Sequence, residues 1–389
     1  MQLITGNSTH YMIAPDNIFG LLAAFLCLSA AAALMETTSL GRRISGVGIV
    51  LLGALLAAQF EIIPRSAPFY SVIWTYLVPF AIALFLLKAD LIKVFMEGGR
   101  VVVAFVIGAV GAAAGAVIGA FFFDLGPHEP AVAAIFSATY IGGSLNFVAV
   151  AEAVRLDDPS ELAAALAIDN ILGVSFIIFM NFVAGWKLLQ RHFSWRVKSI
   201  WGEESAEEDT ENQGFSFAGL LTALALAAAV VSASTSLAAY LGYEQYVLLF
   251  ITVIMTAVAT IGRRMISRLR GEEMVAMIFM YLFFAIIGAG ADVNGILNAA
   301  PGLFLEVLLI FSVHLVFIFI AGVLLKLNYA ELVVASLACI AGPPIAAAIA
   351  ILMKWRNLVV PGILTGILGY VIGNFVGIGI FKFLGGALF

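Results

Sequence analysis

One carboxylate lies deep inside a long apolar stretch of the sequence. Asp169 follows Ser160, where the stretch begins, by a distance that a helix would turn into roughly 13 Å, close to mid-bilayer depth. An ionised side chain there costs several kcal/mol unless it is paired, protonated or bound to a cation. The neighbouring Asn170 offers a neutral oxygen. We therefore predict that Asp169 and Asn170 bind Na⁺ or a proton, with a purely structural aspartate as the alternative.

Two other apolar stretches, near 138–150 and 337–350, contain residues that weaken helices. Irregular backbone is tolerated at membrane depth only where it is buried in protein or lines a polar cavity. Paired interruptions at matching positions of two halves indicate a transporter's midplane site, whereas glycine-mediated helix packing is the structural alternative. The predicted residues are Gly142, Gly143, Ser144 and Asn146 in the first stretch and Gly342, Pro343 and Pro344 in the second.

The two interruptions differ in chemistry. Ser144 and Asn146 supply side-chain oxygens in the first stretch. In the second, Pro343 and Pro344 are expected to break the helix and to free carbonyl groups, because proline lacks an N–H and clashes with the carbonyl four residues earlier. Exposed N–H ends of helices attract anions, and exposed carbonyl ends attract cations.

Several further polar residues lie within or beside apolar stretches. Glu152 lies near the end of the first interrupted stretch, where it either lines an exit path or sits at the membrane interface. Glu306 and His314 share the window 301–326, and their spacing of eight residues turns a helix about 80° beyond two full turns, so they share a face only loosely. We predict these three as pathway residues; His314 is either a proton relay or, more often, a hydrogen-bonded core histidine. Asn374 is predicted to pack between helices.

The composition places these residues in a membrane protein. The chain has 389 residues, of which 63% are hydrophobic and 11% are charged, against about 25% charged in soluble domains. The net charge of −5 comes largely from one acidic segment and does not indicate a nucleic-acid partner. Cys27 and Cys339 lie in apolar segments and are predicted to fill the core. Because no P-loop, paired metal-binding histidines or nucleophile elbow occurs, we predict no enzyme, no cofactor and no metal other than Na⁺ at Asp169.

The apolar windows predict an all-α polytopic membrane protein of about 10–13 transmembrane helices. A polar, acidic linker at 191–214 separates an N-terminal membrane repeat, 1–190, from a C-terminal one, 215–389. The windows are 17–35, 44–63, 68–87, 99–123, 131–154, 160–187, 215–241, 244–262, 273–291, 301–326, 330–353 and 358–385.

The two halves contain similar pieces in the same order. YLVPFAIALFLLKADL at 76–91 resembles YLFFAIIGAGADV at 281–293, and SATYIGGSLNFVAVA at 137–151 resembles SLACIAGPPIAAAIA at 336–350. This order indicates an internal repeat. Lys and Arg follow the first YL helix but precede the second, so the positive-inside rule predicts that matching helices run in opposite directions. Counted from one window to the next, six steps separate the two matching YL helices. Each step reverses the direction of the chain across the membrane, so an inverted pair needs an odd number of steps. We therefore expect one stretch between 188 and 262 to be miscounted or not to cross.

On these residues the chain resembles a family of membrane proteins called domain of unknown function eight-one-nine. The likeness runs from about Pro64 to Phe389 apart from the linker, and GGSLNFVAVAEA is its most specific piece. That family is similar to transporters with two inverted repeats and crossed broken helices, namely sodium–proton antiporters, bile-acid sodium symporters and sodium–glutamate symporters. The resemblance implies that fold and a homodimer.

The segment AAALAIDNILGVSFI resembles the antiporter helix that carries an Asp-Asp or Asn-Asp pair. By position, the resemblance implies that Asp169 is the ion- or proton-binding carboxylate. It also places Thr139, Ser144 and Asn146 on the first broken helix.

The matching stretch of the second half, GILTGILGYVIGNF, departs from those antiporters. They often carry a basic residue there, whereas this chain has Thr365 and Asn374 as its polar residues. The departure leaves room for an organic substrate, with a carboxylate as one candidate, and adds Thr365 to the predicted substrate site.

We therefore predict an ion-coupled secondary transporter, driven by Na⁺ or H⁺, that moves a small solute by alternating access in a bacterial-type plasma membrane. An organic anion is one candidate solute. The expected partners are the lipid bilayer, the solute and a monovalent cation. One alternative is a monovalent cation/proton antiporter. Another is a non-transporting membrane sensor or scaffold, in which the 191–214 linker docks a partner.

Overall fold

The computed structural model describes residues 11–38, 46–126, 128–186, 189, 193 and 216–386, and within these ranges it contains helices and no strands. Eight of the described helices are long and apolar enough to cross a membrane. The predicted all-α polytopic fold is confirmed. The predicted 191–214 linker lies outside the described residues, apart from Phe193. In chain order the helices are α1 (Ile18–Glu36), α2 (Gly46–Gln59), α3 (Pro68–Leu86), α4 (Leu91–Glu97), α5 (Gly99–Phe122), α6 (Glu129–Gly142), α7 (Ser144–Ala153), α8 (Pro159–Gly185), α9 (Phe217–Leu241), α10 (Val247–Ile261), α11 (Arg263–Ile266), α12 (Glu272–Gly290), α13 (Val293–Leu324), α14 (Tyr329–Ile340), α15 (Pro343–Leu352) and α16 (Val359–Phe383).

The start of α13 differs from the predicted window. The helix begins at Val293, not near 301, and continues through Pro301. Proline usually ends a helix because it cannot donate the backbone hydrogen bond, which is why the sequence suggested a boundary there. In membrane helices an internal proline is tolerated when neighbouring groups satisfy the freed carbonyl.

The chain divides into two compact units. In unit 1, the Tyr281 hydroxyl donates to Glu36 Oε2 at 3.2 Å, which ties α12 to the end of α1. Gly288 lets α12 approach α2 closely, because a side chain there would overlap with the Leu51 carbonyl. Unit 1 comprises Met1–Val78, Asp158–Asn170 and Met277–Ala300, and unit 2 comprises Pro79–Asp157, Ile171–Ala276 and Pro301–Phe389.

In unit 2, α6 and α7 fold back on each other. A Cβ placed on Gly377 of α16 would lie 2.9 Å from the Ala134 carbonyl oxygen in α6 and 3.1 Å from Val150 Cγ2 in α7. In one straight helix, Ala134 and Val150 would be about 24 Å apart. The two helices therefore form a re-entrant hairpin with its tip at Gly143, which we call hairpin 1.

The second interrupted stretch has the same form. A Cβ on Gly362 would lie 2.7 Å from Val334 Cγ1 in α14 and 3.4 Å from Ala346 Cβ in α15, two residues that a straight helix would separate by about 18 Å. We call this pair hairpin 2, with its tip at Gly342. The two stretches are therefore broken where the sequence predicted, but each folds back instead of continuing through the membrane. That the two broken stretches cross each other stays a prediction. The hydropathy of an apolar window of this length is the same whether the segment crosses the membrane once or forms two half-length helices that enter and return.

The hairpins change the count of crossings. When 131–154 enters and returns, the predicted windows leave five steps between the matching helices α3 and α12, the odd number that inversion requires, provided that the short helix α10 crosses. Within the described residues, 131–154 is therefore a stretch that does not cross. The expected miscount between 188 and 262 stays a prediction, since α10 is shorter than the helices that are long enough to span a membrane. In agreement, the matching helices α5 and α13 run antiparallel, because Gly108 packs against His314 whereas Gly119 packs against Glu306. Inversion of the complete repeats stays a prediction.

The two hairpins enter from opposite ends of α5. Hairpin 1 begins just after the Phe122 end of α5. The base of hairpin 2 lies at the other end, where one cavity of about 640 Å³ is lined by Arg100 at the start of α5, Glu331 at the start of α14 and Trp355 after α15. Because the 24 residues of α5 span about 36 Å, these ends lie at opposite membrane faces, the Phe122 face and the Gly99 face.

Candidate functional site at the hairpin tips

The two hairpin tips have the same backbone conformation. Gly143 has φ 86° and ψ −177°, and Gly342 has φ 83° and ψ −179°. Side chains disfavour this region, so glycine is the residue that fits. The sequence match of the two halves pairs these two glycines. The same local turn therefore occurs once in each half of the chain.

Tyr370 of α16 lies beside both tips. A Cβ on Gly143 would be 3.8 Å from Tyr370 Cε1, and a Cβ on Gly342 would be 3.7 Å from the Tyr370 hydroxyl. Tyr370 is near the middle of α16, so the tips meet at mid-depth. The sequence analysis missed this residue, because one aromatic side chain in an apolar helix looks like core. Its position between two glycine-rich turns of α16 is the sequence feature that could have indicated a functional role.

Small residues on α16 let both tips come close. A side chain on Gly369 would overlap with the Ile141 carbonyl of hairpin 1, and a Cβ on Gly366 would lie 2.7 Å from the Pro343 nitrogen of hairpin 2. The predicted site residue Thr365 is fully buried beside them, but its hydroxyl donates to the Pro361 carbonyl of its own helix. In this conformation it is therefore not aimed at a ligand.

A buried polar network connects hairpin 1 to two other helices. Asn146 Nδ2 donates to the Tyr370 carbonyl at 3.1 Å and to Asn374 Oδ1 at 2.8 Å. Asn374 Nδ2 donates to Thr252 Oγ1 of α10 at 3.2 Å, and this hydroxyl donates to the Leu248 carbonyl. A carbonyl only accepts, so the Tyr370 contact fixes which Asn146 atom is nitrogen.

One hydrogen-bond acceptor of this network, Asn146 Oδ1, has no partner among the described residues. Asn146 is 1% exposed. A buried acceptor without a partner is costly and often marks the place of a water, an ion or a ligand group. A cavity of about 10 Å³ borders Asn146, Tyr370 and Asn374, which is room for about one water or one small ion.

The remaining predicted residues of hairpin 1 have local roles. The Thr139 hydroxyl, 1% exposed, donates to the Ile135 carbonyl at 2.7 Å. Gly142 makes space for Asn146 Oδ1 and for the Gly369 carbonyl, since a Cβ there would overlap with both. Ser144 begins α7, and its side chain lies outside the described part of the chain.

The prolines of hairpin 2 do not break a continuous helix, which corrects the prediction. Pro343 and Pro344 are the first two residues of α15, and the turn is made by Gly342. Proline is well tolerated there because the first N–H groups of a helix have no partner within it. The tip of hairpin 2 therefore presents no N–H from these residues, whereas α7 of hairpin 1 begins at Ser144 with no side-chain cap on its first turn.

Asp169 and Asn170 belong to unit 1. Asp169 is half-buried near the middle of α8 and makes an interaction within the protein. Asn170 Nδ2 donates to the Leu166 carbonyl of its own helix at 2.8 Å. That they share an ion with Ser144 and Asn146 of unit 2 stays a prediction.

The three predicted pathway residues differ in their partners. His314 is fully buried, with Nδ1 2.9 Å from the Gly108 carbonyl and Nε2 2.8 Å from Ser336 Oγ. The carbonyl requires a donor, so Nδ1 carries a proton, and both ring nitrogens have hydrogen-bond partners, as in a hydrogen-bonded core histidine. Glu152 Oε2 is buried without a partner among the described residues, as are both oxygens of Glu306.

Glu306 and His314 face the same helix, although their spacing suggested only a loosely shared face. Gly119 of α5 packs against Glu306, and Gly108 and Gly111 pack against His314. An apolar helix contact covers a stripe about 100° wide or more, which accommodates their angular offset. No group of three or more His, Cys, Asp or Glu side chains in the described ranges could hold a metal ion.

Two comparisons with known proteins place the chain. A family model described as "Protein of unknown function (DUF819)" matches residues 22–386. The "Uncharacterized membrane protein YjcL" of Bacillus subtilis (strain 168) is 31% identical over 392 residues, covering 95% of this chain and 97% of that protein. The predicted resemblance is confirmed. The chain belongs to the DUF819 family and is an integral multi-pass membrane protein.

Proposed function

We propose that this member of the DUF819 family is an ion-coupled secondary transporter that moves a small solute by alternating access. The observation that carries the proposal is the meeting of two re-entrant hairpin tips beside Tyr370. Helices that end at mid-depth bring backbone ends to a place without bulk water, and binding sites of secondary transporters are built in this way. A bacterial-type plasma membrane is the proposed location.

The chemistry of hairpin 1 supports an anionic group on the solute. The uncapped first turn of α7 directs backbone N–H groups toward the tip, and such helix ends favour negative charge. The open Asn146 Oδ1 beside it accepts a donor or a cation. An organic anion and a cation bound together would satisfy both.

A monovalent cation/proton antiporter is the second candidate. The cavity beside Asn146 has a volume of about 10 Å³, which suits one water or one monatomic ion and not an organic molecule. The two candidate functions are distinguished by whether ion flux requires an organic solute.

We further propose that Asp169 binds the coupling ion, Na⁺ or H⁺, with Asn170 beside it. The support is its place near the middle of the long apolar helix α8, where a carboxylate has to be neutralised.

Solid-supported-membrane currents on proteoliposomes test the proposal. Na⁺ jumps and pH jumps are applied separately to the wild type, Asn146→Ala and Asp169→Asn. We expect a wild-type current to one jump and at least a tenfold loss in both variants. Asn181→Ala is the matched control for Asn146, because among the described residues the Asn181 side chain bonds only the Ile177 carbonyl of its own helix. Glu97→Gln, which removes an exposed carboxylate, is the control for Asp169.

Electroneutral exchange moves no net charge, so silence is followed by a pH-dye flux assay. Silence in both assays from folded, correctly inserted protein contradicts ion-coupled transport and favours a sensor or scaffold. Equal losses of current in Asn146→Ala and Asn181→Ala would contradict a role of the hairpin tips in transport.

A further inference from the structure

A buried carboxyl group lies between α5 and α13, away from the hairpin tips. Glu306 is 0% exposed, and neither of its oxygens has a hydrogen-bond partner among the described residues. Its side chain fills the space that Gly119 leaves open, because a Cβ there would overlap with Glu306 Oε2. Within the described ranges no Lys, Arg or His forms an ion pair with it. The packing therefore holds a carboxyl group without supplying a counterion.

The charged groups near Glu306 do not neutralise it. On α6 the charged residue is Glu129, which has the same charge sign as an ionised Glu306. On α5 the charged residue is Arg100, which lies at the opposite end of the helix and pairs with a glutamate there. The connection from α5 to α6 carries Asp124 and His128. His314 lies two turns farther along the same helix, and both of its ring nitrogens bond other groups, the Gly108 carbonyl and the Ser336 hydroxyl.

Another buried glutamate differs from Glu306 in having a counterion. Glu272 is 2% exposed, and the Lys88 ammonium lies 3.2 Å from it. Lys88 also donates to two backbone carbonyls. An ionised Glu306 would have no such partner, and a buried charge without counterion or hydrogen bond costs several kcal/mol.

We propose that Glu306 is a proton-binding site that is protonated in this conformation and exchanges its proton with the Phe122 face. One turn before it, Gly302 packs directly on the Asp124 carbonyl of the α5–α6 connection. That connection contains no Lys or Arg, so the positive-inside rule puts it outside the cytoplasm. When α13 separates from the connection, water reaches the carboxyl, which releases H⁺ and becomes a carboxylate. This inference rests on the proposed function and names the proton as a coupling ion.

Infrared difference spectroscopy of the purified protein at neutral pH tests the site without any transport. The spectrum of Glu306→Gln is subtracted from that of the wild type. We expect the difference to contain the C=O stretching band of one protonated carboxyl group per chain, and Glu306→Asp to retain such a band. Glu97→Gln is the control and should remove ionised carboxylate bands. Loss of carboxylate bands in Glu306→Gln, or a Glu306 band that responds to Na⁺ and not to pH, would overturn the proposal.

The coupling role is tested by pH-jump current in liposomes. We expect Glu306→Gln to lose the current at least tenfold while its thermal unfolding midpoint stays close to the wild-type value. A wild-type current in this variant would refute the coupling role. If the wild type itself moves no ion, the proposed transport fails, and the infrared result alone decides whether Glu306 binds a proton.

Discussion

Hairpin 1 and hairpin 2 have the same turn and opposite chemistry. Both tips use a glycine with nearly identical backbone angles, and both meet Tyr370. Hairpin 1 continues with Ser144, Leu145 and Asn146, so it presents N–H groups and a buried amide. Hairpin 2 continues with two prolines and an isoleucine, so its tip is apolar and offers no N–H there. The two hairpins thus share one backbone turn, and the residues that follow the turn determine which tip can bind polar ligands.

The largest expected effect is at the residue just before each turn. Gly142 of hairpin 1 corresponds to Ala341 of hairpin 2 in the sequence match. A Cβ at Gly142 would overlap with Asn146 Oδ1 and with the Gly369 carbonyl, and a backbone group in a packed core cannot move aside. We expect Gly142→Ala to lower the free energy of unfolding by about 3 kcal/mol, seen as a lower thermal midpoint in detergent. Ala341→Gly is the matched control and should cost about 1 kcal/mol; equal effects would show that the tips are packed alike.

The second largest expected effect is in the polar network of Asn146, Asn374 and Thr252. Asn374→Ala removes the partner of Asn146 Nδ2 and of Thr252 Oγ1 in the core. We expect a loss of about 2 kcal/mol, because two buried hydrogen bonds of about 1 kcal/mol each are removed, although Asn146 Nδ2 keeps the Tyr370 carbonyl and the Thr252 hydroxyl keeps the Leu248 carbonyl. Asn181→Ala should cost under about 0.5 kcal/mol, as for a site outside such a network. Thermal unfolding of the two variants side by side measures the difference, and similar midpoints would mean that water replaces the lost amide.

Substituting the tip glycines tests what the hairpins have in common. Gly143→Ala and Gly342→Ala each force a side chain into a positive-φ conformation, although neither Cβ meets an atom closer than 3.7 Å. We expect similar losses of about 1–3 kcal/mol in both, from backbone strain alone, because this combination of φ and ψ is essentially restricted to glycine. Gly379→Ala, where a Cβ has open space in a helix, should be neutral or stabilising. Clearly unequal midpoints for Gly143→Ala and Gly342→Ala would mean that the turns are not equivalent.

The smallest expected effect is in the prolines. Pro343→Ala and Pro344→Ala restore an N–H in the first turn of α15, where N–H groups have no partner within the helix. Pro343→Ala also removes ring atoms that lie beside Gly366. We expect each to cost about 0.5–1 kcal/mol, because alanine gives the unfolded chain more freedom. Midpoints that fall by as much as in Gly142→Ala would show that the prolines hold the turn itself.

The sequence located the turns but not the path of the chain through them. Gly143 and Gly342 were predictable because two glycines at matched positions interrupt apolar windows. The hairpins were not, because hydropathy measures length and polarity but not direction. Asn374 was expected to pack between helices, and it does. Tyr370 and the open oxygens of Glu306 depend on which helices become neighbours, and a single sequence carries no such information.

The hairpins also constrain the order in which the protein is assembled during synthesis. Their helices are too short to cross a bilayer, and their inner faces are completed by α16. Hairpin 1 ends at Ala153, whereas α16 begins only at Val359. During translation the hairpin therefore exists long before its partner, with the open amide of Asn146 unsupported by Asn374. A chain cut before Val359 would leave both hairpins packed on α5 but without the helix that meets their tips, so α16 completes the packing of unit 2.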